Sequence, residues 1–400
     1  MMIAESQRNT SPPVPDFYRD VYCILGLPFD AVTFNQAIGK VCEAAKNKKR
    51  LFLSTPNLNF LITSQTDAVF RNSVIHSDLS VADGMPIVWL AKLLGVPVRE
   101  RVAGASVFQA LMSSSSASTG YGEKTSAIRV FFFGGPTGVA QAAHEEINRL
   151  AQMEGGQGCG VRSVGFASPG FGTVEDMSSP AIIQQINASL ADFLVVALGA
   201  AKGQAWIERN RAVLAAPVIS HLGAVVNFVA GKIDRAPVWV QRVGFEWLWR
   251  IKEEPALWRR YWADGKALIR LLVTRIAPLA WIHFAKHPGP SCLEASGIVI
   301  EEQGHSCLVR LRGAWVGANL QPLRVLFNKA ATEGWSVKLD LQNVNFVDAA
   351  FLGVLMIFAD HHDSIADTNL EVVASQFKVV NTIFKLAGLG YLLEKHGHSK

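Results

Sequence analysis

Thr55-Pro56-Asn57, Asp83-Gly84 and Arg101 follow one another in the N-terminal third of the chain and offer a hydroxyl, an amide, a carboxylate and a guanidinium. Such a set suits the movement of a group off a diphosphate. A carboxylate can take the proton of an incoming hydroxyl, while arginines and helix-start amides stabilise the departing diphosphate. Asp83 and Arg101 are therefore the candidate catalytic residues, with Thr55, Asn57 and Gly84 as candidate binding residues. Taken singly, each has a plain structural explanation. Asp-Gly is a common turn, Thr-Pro-Asn a common helix start, and a lone arginine is usually a solvated charge. Farther along, Phe131-Phe132-Phe133 runs into Gly134-Gly135-Pro136-Thr137-Gly138, a strand followed by a glycine turn and a helix. The amides at Gly134 and Gly135 suit a phosphate or a ribose. The run has neither the GxGxxG nor the P-loop lysine spacing, which disfavours a nicotinamide-dependent oxidoreductase.

These residues need a scaffold that brings them to one rim. From Val21 to about Pro237, short β-rich runs (VYCILGL, RLFLSTPN, IRVFFFGG, CGVRSVGF, DFLVVALGA, APVISHLGA) alternate with helical patterns and end in glycine or turn residues. That rhythm predicts a parallel sheet with crossover helices, in which ligands sit beyond the carboxyl ends of the strands. The serine-rich run Ser113–Thr125 reads as an exposed loop. The chain of 400 residues, half of them hydrophobic, is long enough for two or three units.

Between Val238 and His287, Trp239, Trp247, Trp249, Trp258, Trp262 and Trp281 are interleaved with Arg242, Arg250, Arg259, Arg260, Lys266, Arg270 and Arg275. Indoles mixed with cations fit a boundary between water and anionic lipid; a helical pair with a solvated basic face is the plainer alternative. Within Ala267–Phe284 the charges at Arg270 and Arg275 and the ring of Pro278 interrupt what would otherwise be a spanning segment, so a helix lying on the surface is expected. The net charge of +5 is modest, and no nucleic-acid partner is expected. The 5 cysteines are scattered without CxxC spacing, which indicates neither a disulfide frame nor a zinc site and fits a reducing cytoplasm. Residues 1–20 read as a disordered tail and not as a signal peptide. Residues 287–297 read as a linker, and from Ile298 to about His396 the chain starts again in strand-first α/β order, which marks a second, smaller domain.

In order, the strings TPNLNFL, LSVADGMPIVWLAKLLG, RERVAG, VFFFGGPTGVA, VGFASPGFG, FLVVALGAAKGQAWI and AGKIDRAPVWVQRVGFEWLWRIKEEPALWRRY resemble the WecG/TagA/CpsF family of bacterial glycosyltransferases. The likeness runs from about Leu27 to Tyr261 and implies a Rossmann-like parallel-sheet domain (residues 21–237) with a helical C-terminal appendage (238–286). It implies inverting, metal-independent transfer from a UDP-sugar to a polyprenyl-diphosphate-linked saccharide in exopolysaccharide or cell-envelope polysaccharide synthesis. The expected location is peripheral, on the anionic inner face of the cytoplasmic membrane. On this resemblance Asp83 is the base, Arg101 an active-site arginine and Thr55 with Asn57 the polar pair of the pocket. Gly134, Gly135, Phe166, Gly199, Lys202 and Gln204 are further substrate-binding candidates, as are Arg235 and Arg250 of the appendage. Two departures stand out. A proline-lysine-glutamine-glutamate run usual in the family reads Ala201-Lys202-Gly203-Gln204 here, and His221 stands where the family usually has glycine.

The second domain resembles the STAS fold of anti-sigma-factor antagonists through VKLDLQNVNFVDAAFLGVLM and FKLAGLGYLL. Asp348 is followed by Ala349 and Ala350, so the hydroxyl that signalling members phosphorylate is missing, and a constitutive docking role toward a protein partner is expected. The runner-up reading for the whole chain is a non-catalytic nucleotide-sugar-binding regulator acting through this domain.

Overall fold

Phe131 and Phe133 face one way and Val130 and Phe132 the other along a single strand, and all four are buried. A strand can be apolar on both faces only where helices cover both sides of its sheet. The computed structural model describes residues 13–113, 126–153, 160–232, 236–237, 240, 246–366 and 368–394. They form two units, 27–280 and 13–26 with 281–394.

The strands, in chain order, are β1 (Val21–Ile24), β2 (Leu27–Asp30), β3 (Leu51–Ser54), β4 (Leu79–Ser80), β5 (Ile128–Gly134), β6 (Val161–Ala167), β7 (Phe193–Ala197) and β8 (Val218–His221). Strands β3 to β8 build one parallel sheet in the order β4-β3-β8-β7-β5-β6. Each of the five runs from RLFLSTPN onward, together with the short run before Asp83, supplies a strand or its end; VYCILGL divides into two strands.

The helices of this unit are α1 (Phe34–Asn47), α2 (Leu58–Thr63), α3 (Ala68–Ile75), α4 (Met85–Leu93), α5 (Gly104–Ser113), α6 (Val139–Met153), α7 (Pro180–Ala188), α8 (Ala200–Asn210), α9 (Gly223–Val229), α10 (Glu246–Glu253) and α11 (Trp258–Leu271). The first is fixed at its start by a capping box between Thr33 and Gln36. One core lies on the Val130, Phe132, Val195 face with α1, α5 and α6; the other, on the Phe131, Phe133, Val196 face, holds the wholly buried Trp206 of α8 stacked on Phe133 at 4.2 Å. β5 leads on to β6 at one edge while β7 leads to β8 on the opposite side. The connections diverge between β5 and β7, and that divergence opens a crevice at their carboxyl ends.

A helical run, Pro255–Lys286, continues α11 through a π-turn at Leu272–Ile276 into α12 (Ala277–Lys286), and it is long and apolar enough to cross a membrane by length and composition. The division between the units falls at Ala280 and Trp281, inside this run, and not at the expected boundary after residue 286.

The second unit continues with α13 (Pro290–Glu294), β9 (Gly297–Gln303), β10 (Ser306–Trp315), α14 (Gln321–Glu333), β11 (Ser336–Val347), α15 (Ala349–Asp363), β12 (Leu370–Val373), α16 (Lys378–Ala387) and α17 (Tyr391–Glu394). Its sheet has the order β12-β11-β10-β9, parallel except for β9. The expected linker is structured: it contains α13, and Ser296 donates to the Ala314 carbonyl at 2.7 Å.

The described part of the expected disordered tail is ordered by packing. Phe17 is wholly buried, edge-on to the stacked pair Phe327 and Phe358, and Arg324 Nη1 donates to the carbonyls of Phe17 and Arg19 at 2.5 and 2.7 Å. A Cβ on Gly353 of α15 would fall 2.6 Å from the Val21 carbonyl, so glycine is what lets β1 lie this close to the helix. Residues 1–12, and 114–125 of the expected serine-rich loop, lie outside the described residues.

Candidate functional site

A cavity of about 370 Å³ opens where β3, β7 and β8 end. Thr55 and Asn57 come from the chain leaving β3. Asn57 Oδ1 accepts the Phe60 N–H at 3.2 Å and caps α2, so its amide N–H groups remain as donors. Thr55 is packed under α5: a side chain on Gly104 would collide with Leu222 and come within 3.1 Å of Thr55 Cγ2. From β7 come Ala197, Leu198 and Gly199, and the latter two lead into the first turn of α8, whose N–H groups lack intrahelical partners and suit an anion. Gly134, at φ +93°, lies against the Ala197 carbonyl where a Cβ would stand 2.9 Å away, and Gly135 beside it reaches the cavity.

Asp83 follows β4, its backbone held by an N–H to the Pro56 carbonyl at 3.1 Å. Gly84, at φ +145°, starts α4. The Asp83 side chain is 25% exposed. Arg101 Nη2 lies 3.6 Å from Asp83 Oδ1 and 2.5 Å from Glu246 Oε2, and the Gly104 N–H approaches Asp83 Oδ2 at 3.4 Å. Burial pushes the Asp83 carboxyl above its ordinary range. The guanidinium of Arg101 opposes that shift, Glu246 reinforces it, and the Gly104 N–H and Arg250 oppose it again. The result is a carboxylate that binds a proton more readily than a surface aspartate, which is the direction a general base requires.

From the helical segment, α10 brings Arg250 and α11 brings Arg260 to the cavity wall, and α11 is tied to α2 by Asn59 Nδ2 donating to buried Asp264 at 3.4 Å. Arg101 Nε and Arg250 Nε are buried without a hydrogen-bond partner. Unmatched buried donors on two guanidiniums call for an acceptor such as a diphosphate oxygen.

Thr55, Asn57, Asp83, Gly135, Gly199 and Arg250 therefore line one cavity, with Arg101, Gly84 and Gly134 adjoining them. Three other expected residues neither line nor adjoin it. Lys202 points out along α8 and donates to the Gly172 carbonyl at 2.7 Å. Gln204, on the opposite side of that helix, is buried with Nε2 on Ser54 Oγ at 2.9 Å. Phe166 packs against the His144 ring at 5.4 Å. Arg235 lies outside the described residues. Glu246 was not among the sequence candidates although it sits in the quoted EWLWR string; its only sequence signal is the four-residue step to Arg250, which puts both on one helix face. Arg260 and His221 also line the cavity. Among the described residues no group of three or more His, Cys, Asp or Glu is arranged to hold a metal ion.

Three relatives carry the name N-acetylglucosaminyldiphosphoundecaprenol N-acetyl-beta-D-mannosaminyltransferase. The protein of Bacillus spizizenii is 27% identical over 224 residues, covering 56% of this chain and 79% of its own. That of Bacillus subtilis is 24% identical over 220 residues (55% and 78%), and that of Staphylococcus aureus 22% over 230 residues (57% and 82%). The model of the glycosyl transferase WecG/TagA/CpsF family matches residues 22–279. This span contains every residue of the cavity and more than half of the chain, and the protein is therefore a glycosyltransferase belonging to the WecG/TagA/CpsF family.

Proposed function

We propose that this enzyme transfers a sugar from a UDP-sugar to a saccharide carried on a polyprenyl diphosphate, in the assembly of a cell-envelope polysaccharide or exopolysaccharide. The observation that carries the reading is Asp83: a proton-accepting carboxylate on the cavity wall beside two arginines whose buried Nε donors are unmatched. In the reaction an acceptor hydroxyl oxygen attacks the anomeric carbon from the side opposite the diphosphate. Its proton passes to Asp83, the bond from carbon to the diphosphate oxygen breaks, and UDP leaves with the electron pair. One displacement inverts the anomeric centre. Arg250, Arg101 and the first turn of α8 supply the charge stabilisation for the leaving diphosphate, so the residues at hand can do this work without a metal. The relatives' names, which specify a sugar on diphosphoundecaprenol as their acceptor, support the acceptor class. The test is UDP release with membrane lipid extract as acceptor, across a panel of UDP-sugars; absence of turnover with every donor, from protein that binds UDP-sugar, would favour the non-catalytic regulator instead. Lys202 and Gln204, both turned away from the cavity, are the observation that keeps that second reading.

A lipid-linked acceptor calls for docking at the inner face of the cytoplasmic membrane. Trp258, Trp262, Ile269 and Val273 are all more than half exposed along the helical run that also carries Arg259, Lys266 and Arg270, while Arg260 of the same helix lines the cavity. Trp258 and Trp262 replaced together by Ala should weaken binding to anionic liposomes severalfold at low salt; equal binding would exclude this surface. The second unit, with its strand-first order and with Asp348 capping a helix that continues Ala349-Ala350, fits a STAS-type docking domain for a protein partner.

A further inference from the structure

His221, in the cavity wall, packs against buried Gly203 of α8 behind it. A Cβ built on Gly203 would overlap His221 Cδ2 and stand 3.0 Å from both Cγ and Nε2, so the imidazole occupies the space that any side chain at 203 would need. The ring is fixed on that side. Its Nε2 lies 2.5 Å from the Leu198 carbonyl oxygen, which can only accept, so Nε2 carries the proton and donates it. On the third side Gly223 closes in: a Cβ there would be 3.4 Å from Nε2 and 3.7 Å from Cε1. Of the two ring nitrogens only Nδ1 remains uncommitted, with its lone pair, in a residue that lines the cavity. Burial holds the imidazole neutral by lowering its pKa, so the lone pair persists at ordinary pH.

We propose that His221 is a specificity-determining residue whose Nδ1 accepts a hydrogen bond from an O–H or N–H group of the transferred sugar, in a niche that exists because residue 203 is glycine. A neutral acceptor cannot serve the diphosphate, which itself only accepts; it suits an O–H or N–H donor, and comparison with UDP alone tells the donors of the transferred sugar from those of the uridine. The assignment rests on the proposed UDP-sugar donor, and the experiment separates the two.

Calorimetric affinities for UDP and for UDP-N-acetylglucosamine and UDP-N-acetylmannosamine would be compared in wild type and the four variants that follow. The preferred UDP-sugar should bind wild type more tightly than UDP does. In His221→Gln the amide can still donate to the Leu198 carbonyl but offers nothing at the Nδ1 position, so the sugar-dependent increment should fall about tenfold while UDP affinity is unchanged. His221→Asn places its oxygen near the Nδ1 position and should retain most of the increment. Gly203→Ala should displace the ring, lowering both the thermal midpoint and the sugar increment; adding His221→Gly should restore the midpoint but not the increment. Equal loss of UDP and UDP-sugar affinity in His221→Gln, or no loss at all, would overturn the assignment. Wild-type protein that binds neither UDP nor either UDP-sugar would bring down the UDP-sugar donor reading, and this assignment with it.

Discussion

Asp83 and Asp348 are two half-buried aspartates in two α/β units, each where a strand gives way to a helix, and desolvation pushes the pKa of both upward. Their surroundings part them. Asp348 accepts N–H groups from Gly317 at 2.9 Å, Ala350 at 3.0 Å and Phe351 at 2.9 Å, and it closes the start of α15. Asp83 has one long contact from the Gly104 N–H at 3.4 Å and shares Arg101 with Glu246, which lies closer to that arginine. A carboxylate whose lone pairs are spent on backbone donors is a fastener. One left short of partners beside a cavity can accept a proton from a substrate.

The contrast can be broken most directly by Asp83→Asn. Turnover, measured as UDP release, should fall about a hundredfold or more. Stability should not fall with it. Because the folded carboxyl binds its proton more tightly than the unfolded one, Asp83 costs stability as pH rises from the ordinary carboxyl range through its raised value, and uncharged Asn escapes that cost. A thermal midpoint at pH 7 equal to or above wild type, with lost turnover, is the expected pair of results.

The reverse pattern is expected for Asp348→Ala. Loss of a helix cap costs about 0.5–2 kcal/mol, which denaturant titration of the full chain would read, while UDP release per folded molecule should match wild type. Equal stability would show that the three backbone contacts contribute nothing.

The smallest effect sharpens the account of Asp83 itself. Glu246→Gln removes a negative charge that raises the Asp83 pKa and frees Arg101 to act on Asp83 alone. Both changes lower the pKa, so the acid limb of the pH–rate profile should move to lower pH. A limb that stays in place would remove Glu246 from the site's electrostatics.

The strands of the sheet were readable because each local run carries its own evidence: RLFLS, IRVFFFG and FLVVA are apolar on both faces, and each stops at a turn residue. Thr55, Asn57, Asp83 and Gly135 were readable for the same reason, since a residue just past a strand in a parallel sheet must lie on the carboxyl rim. Lys202 and Gln204 also follow a strand, but they lie within a helix, where a step of two residues turns them to different sides; one meets the Gly172 carbonyl and the other Ser54. Phe17 in a polar, proline-rich stretch looked like a tail residue because its partners, Phe327 and Phe358, lie some three hundred positions away.

The sequence by itself determined the alternation of strands and helices and the rim to which Asp83 belongs, because hydrophobic period and turn chemistry act over a few residues. Only the tertiary structure decided that Glu246 shares Arg101 with Asp83, that two arginine Nε donors are left unmatched, and that the missing side chain at Gly203 makes room for His221. These depend on packing between segments distant in the chain, where no spacing rule connects the residues and close approach in space sets both charge and shape.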